Sequence, residues 1–109
     1  MASKELISQW LEVGKEDLEL AGHLIEEDWF YRAAMYHLQQ AVEKHTKAFL
    51  ISKGWELRKI HDLETLIDEA SKHDEALRQY LDLGRNLTAF YTESRYPPLD
   101  GEAPSKKRI

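Results

Sequence analysis

The sequence predicts an all-α domain, an antiparallel up-and-down bundle of four to five helices. Three observations predict it. Apolar residues recur at steps of three and four through most of the 109 residues, no stretch alternates with the two-residue period of a strand, and the breaks between helical stretches are short. Short breaks make successive helices antiparallel neighbours. A chain of this length suits one domain and buries roughly two-thirds of the surface its unfolded form exposes.

The first helix is read over Lys4 to Glu27, with Leu6, Ile7, Trp10, Leu11, Leu18, Ala21, Leu24 and Ile25 on one face and most acids on the other. Asp28 is the expected N-cap of the next. The second helix spans about Trp29 to Lys53, with Ala34, Leu38, Ala41, Val42, Ala48 and Phe49 inward and Gly54 placed to stop it. Trp55 to His61 is a connector. A shorter helix follows from Asp62 to Lys72, with Leu63, Leu66, Ile67 and Ala70 inward. The fourth starts near Asp74 and carries Ala76, Leu77, Tyr80, Leu81, Leu87 and Phe90 or Tyr91. Pro97-Pro98 ends helix formation, so residues 1–97 form the expected bundle and 98–109 an expected flexible tail.

Composition narrows the chemistry. There is no cysteine, which excludes disulfides, thiolate zinc sites and a cysteine nucleophile, and fits a reducing cytoplasm, the expected location. No secretory leader pattern and no apolar run long enough to span a bilayer is present, so no membrane partner is expected. The net charge of −5 is uneven: residues 1–28 carry two lysines against eight acids, and the rest is nearly balanced. A duplex-DNA binder shows a basic footprint that this chain lacks overall. The residues three positions before the five histidines are Leu20, Ala34, Val42, Arg58 and Ala70, none of them an acid. The Glu-x-x-His pairs of di-iron bundles are therefore missing, and no metal or other cofactor is predicted.

Three groups of residues invite a functional reading. Tyr36, Gln40, Glu43, Lys44 and Lys47 fall within about 80–100° of arc on the second helix. Such a stripe suits either a small anion or nucleotide, or a solvated face with Glu43–Lys47 as an i,i+4 pair. His45 sits in the apolar arc, as a hydrogen-bonded core or interface residue would, and His61 is placed to cap the third helix or bond a helix end. Arg85, Tyr91, Arg95 and Tyr96 mix guanidinium groups with aromatic rings near the end of the fourth helix, a mixture that fits a nucleotide or RNA end and equally a capped helix terminus.

Gln39-Gln40-Ala41-Val42-Glu43-Lys44, followed by Lys47-Ala48-Phe49-Leu50, resembles the second-helix signature of HEPN domains. Lys59-Ile60-His61-Asp62-Leu63 resembles that family's entry to the next helix, and Arg95-Tyr96-Pro97 the ending of one of its branches. The resemblance implies a dimerising bundle that binds a nucleotide or acts beside a small nucleotidyltransferase, often in a toxin–antitoxin pair. Some members are metal-independent ribonucleases with an arginine followed, after four to six residues, by histidine. Here the positions allowed after Arg85 hold Phe90, Tyr91 and Thr92, which disfavours cleavage because none titrates usefully near neutrality. A non-catalytic binding module with Gln40, Glu43, Lys44, Lys47, Arg85, Tyr91, Arg95 and Tyr96 as nucleotide or phosphate contacts is the expectation; a ribonuclease toxin and a purely structural dimerisation domain are the alternatives. Trp10, Trp29, Trp55 and Phe30 exceed what so small a core hides and point to an interface.

Overall fold

The computed structural model describes residues 4–27 and 30–94. Four α-helices make up these residues: α1 (Lys4–Glu27), α2 (Tyr31–Ser52), α3 (Leu63–Ser71) and α4 (Leu81–Ser94), with a 3-10 segment, Glu75–Tyr80, leading into α4. The order of contacts fixes the directions. Asp17 meets Lys44, Gly14 meets His45 and Trp10 meets Lys47, so α1 and α2 run antiparallel. Leu63 meets Thr88 and Ile67 meets Gly84, so α3 and α4 do as well. The all-α bundle of four helices is as expected; α3 runs parallel to α2, since the connector returns along it and His61 meets Glu43 while His73 meets Phe49.

Helix α2 is central. Helix α1 packs almost wholly against it, while α3 and α4 pack on each other and on α2. Ala34, Ala41 and Ala48, spaced by seven residues, are all buried and allow close packing along α2. One core cluster joins Leu50, Leu63, Leu66, Ile67, Ala70 and Leu87, and a second joins Ala34, Met35 and Phe90, with Leu24, Ile25 and Tyr31 against it. Each fully buried leucine of the first cluster contributes about 2 kcal/mol by leaving water.

The ends of the helices follow local chemistry, with one departure. Lys53 caps the C-terminus of α2, and the Gly54 and Trp55 amides donate to the Ile51 and Leu50 carbonyls, both at 3.0 Å. This is a Schellman closure with Gly54 at φ +90°, and it swings Trp55 onto the core. Asp62 caps α3, accepting from the Thr65 amide at 3.2 Å and from its hydroxyl. At the start of α2 the cap is Phe30, in the left-handed region (φ 49°, ψ 49°) without a side-chain cap bond. The helix thus begins two residues later than expected, and Asp28 and Trp29 lie outside the described residues. The stretch after Asp74 is also not continuous α-helix. Its first turns are the 3-10 segment, which leaves Ala76 and Tyr80 exposed instead of inward.

Helix α4 crosses α3 at Gly84. A Cβ there would lie 2.7 Å from Ile67 Cδ1 and 3.2 and 3.3 Å from backbone atoms of Leu63 and Glu64. The isoleucine tip can rotate, but the backbone contacts require the helices to separate. Gly84→Ala is expected to lower stability by about 1 kcal/mol in urea unfolding, the overpacking cost exceeding the gain in helix propensity. A midpoint equal to or above that of wild type would contradict this packing.

Candidate functional site

The polar stripe of α2 is not a solvated face. Gln39, Glu43 and Lys47 are 1 %, 3 % and 2 % exposed, in the middle of the molecule. Lys47 Nζ donates to Glu43 Oε2 at 3.0 Å, as the i,i+4 spacing anticipates, but the pair is interior. The same oxygen accepts from His61 Nδ1–H at 2.9 Å, reaching in from the connector. Lys47 Nζ also lies 5.6 Å from the centre of the Trp10 ring, which brings α1 over the pair. Glu43 Oε1 is buried without a hydrogen-bond partner.

A second carboxylate repeats this pattern between α1 and α2. Asp17 accepts from His37 Nδ1–H at 2.9 Å and from Lys44 Nζ at 3.2 Å. Lys44 donates further to Gln40 Oε1 at 2.8 Å, Gln40 Nε2 to Gln39 Oε1 at 2.8 Å, and Gln39 Nε2 to the His61 carbonyl at 3.2 Å. The structure therefore brings Gln40, Glu43, Lys44 and Lys47 together and gives each lysine its own carboxylate. Gln39, Asp17, His37 and Trp10 belong to the same set and were missed by sequence reasoning. The signal for Asp17 was faint: an acid at the turn where the apolar stripe of α1 lapses.

His61 neither caps α3, which Asp62 does, nor bonds a helix end; its ring meets the Glu43 carboxylate in the middle of α2. His45 is exposed instead of interior, its Nδ1–H donating to the Ala41 carbonyl at 2.8 Å. The side of α2 that it shares with Val42, Thr46 and Phe49 is only half covered between α1 and the α3–α4 pair. There His45, Val42, Thr46 and Phe49 form one wall of a groove of about 460 Å³, with Ile67, Ala70, Asp74, Leu77, Tyr80 and Leu83 opposite. Tyr80 and Leu83 are each 45 % exposed at its edge.

Arg85 stands apart from the stripe. Its Nε donates to both Glu64 oxygens at 3.2 Å, Nη2 donates to Glu64, and Nη1 donates to Asp82 at 3.0 Å. Hydrogen bonding to Arg85 holds the Glu64 carboxyl below its ordinary 4.5, and Glu64 raises the guanidinium above its ordinary value. Phe90, five residues on, is a core residue, edge-on to Tyr31 at 6.3 Å. The Tyr91 side chain, Arg95, Tyr96 and residues 98–109 lie outside the described residues. Among the described residues no cluster of metal-ligand type and no helix long and apolar enough to cross a membrane occurs.

Two predictions follow from these ion pairs. Glu43→Met should cost about 3–5 kcal/mol in urea unfolding by stranding a buried ammonium, and Glu43→Met/Lys47→Met should recover most of that loss. A double variant no more stable than the single would contradict the pairing. Because the Glu64 carboxyl is depressed in the folded state, its contribution is complete above its ordinary value and is lost as pH falls through the folded one. The urea midpoints of wild type and Arg85→Met should therefore differ by a constant amount down to about pH 5 and converge below it.

Comparison with known proteins agrees with the architecture. No curated protein and no solved structure matches the chain. The model of the HEPN domain family matches residues 7–108, nearly the whole chain, and takes in all four helices and the polar set on α2. The chain belongs to the HEPN domain family.

Proposed function

We propose that this HEPN domain is a non-catalytic binding module that works as a homodimer and in company with a protein partner. The observation that carries this reading is the groove between α2 and the α3–α4 pair. It is a groove of about 460 Å³ with an apolar floor, and Phe49 and Tyr80 edge it. Exposed aromatic and leucine side chains around an apolar floor are the composition of an interface core. The companion fitting the family resemblance is a small nucleotidyltransferase, in the manner of a toxin–antitoxin pair.

Two features support binding over cleavage. The residue five positions after Arg85 is Phe90, which is committed to the core, and the guanidinium is held by two carboxylates. Phe90 cannot take a proton in RNA cleavage, and the two carboxylates compete with phosphate for the guanidinium.

A nucleotide-binding reading draws on a different place. Gln9, Trp10, Val13 and Lys44 line a cleft of about 250 Å³ between α1 and α2, where a base would stack on Trp10 and a phosphate would approach Lys44. Nucleotides at millimolar concentration should then raise the melting temperature of wild type and not of Trp10→Ala. An unchanged melting temperature with every nucleotide would remove this reading.

Light scattering tests the dimer. Wild type should show twice the chain mass at micromolar concentration, and Leu83→Asp should show the mass of one chain, because a carboxylate in the groove edge is desolvated on association. A monomeric wild type, or a Leu83→Asp variant that remains dimeric, would contradict the assignment of this face.

A further inference from the structure

The two carboxylate centres are joined by a hydrogen-bonded path with one direction. Lys44 can only donate, and the carbonyl of His61 can only accept. Between them lie two carboxamides, each with one accepting and one donating end. Gln40 must turn its oxygen to Lys44, which turns its NH₂ to Gln39; Gln39 must then accept from Gln40, which turns its own NH₂ to the His61 carbonyl. One orientation of both amides satisfies all three bonds, and reversing either amide places like groups together. Chains with such fixed polarity strengthen cooperatively in a buried setting. Gln39 is 1 % exposed, so water does not readily replace a lost partner.

We infer that Gln39 and Gln40 form a directional relay that couples the docking of α1, at Asp17, to the anchoring of the α2–α3 connector, at His61. Apart from the relay, the His61 ring ties the connector to Glu43. Trp55 holds its first residue to the core, Ile60 packs near its end, and Glu56, Leu57, Arg58 and Lys59 between them are exposed. Helix α1 in turn rests almost wholly on α2. The relay thus links α1, packed along α2, to the connector, and a change in how α1 sits at Asp17 alters how firmly the connector is held. None of its members lines the α2–α4 groove, so the relay stands or falls independently of the proposed dimer.

Hydrogen exchange followed by mass spectrometry on the full chain tests this, read at peptides covering residues 55–62. Lys44→Met and Gln40→Met should each raise exchange there about fivefold, the population change expected for one net hydrogen bond. The double variant should exchange no faster than either single one, because a broken chain cannot be broken again. Lys15→Met, at an exposed position of α1, should leave the connector as in wild type. Wild-type exchange at residues 55–62 in both single variants would overturn the relay, as would a double variant whose increase is the product of the two. Should Lys44→Met fail to fold, Gln40→Met alone decides between the first two outcomes.

Discussion

Glu43 and Lys47, one turn apart on α2, form an ion pair inside the protein, and groups from α1 and the connector are gathered around it. Burying two charges is costly, and their mutual attraction roughly offsets the cost only where further polar groups complete the shell. The connector supplies His61, α1 supplies Trp10, and Gln39 ties the connector backbone to the same side of α2. The pair therefore adds less to net stability than it demands of its neighbours. It sets where α1 and the connector must lie, since any other placement leaves a charge buried alone.

This constraint explains which parts of the fold were legible in the sequence. Helix α1 was placed to the residue, because its period is strong and its acids other than Asp17 keep to the outside. The stop at Gly54 and the entry at Asp62 were legible because each depends on chemistry within a few residues. The start of α2 was not, because a phenylalanine with positive φ carries no cap signature. Nor was the burial of the stripe. Gln40, Glu43, Lys44 and Lys47 have the composition of a solvated face, and only the arrival of Trp10, Asp17 and His61 from elsewhere in the chain makes them interior. His45 shows the reverse: Ala41 and Ala48 beside it are buried, yet its own ring stays exposed.

Membership of the HEPN family and the geometry bear on function at different places. The α2 polar residues that carried the resemblance are engaged with one another and with α1 and the connector. The uncommitted surface is the apolar groove on another side of α2, with His45, Tyr80 and Leu83 at its margins. Interior polar bonding sets the shape from within and leaves an apolar groove open on the surface. Phe90, filling the core where a ribonuclease member would place histidine, belongs to the same economy.

The central claim is that the lysines of the α2 stripe point inward to their carboxylates. Brief acylation of the native protein, quantified lysine by lysine, addresses it most directly. Lys47, 2 % exposed, should react slowest and Lys44 next, while the exposed Lys15, Lys53 and Lys59 react at the rate of free side chains. Lys47 modified as fast as Lys15 in protein that remains folded would contradict the buried pair and the architecture built around it.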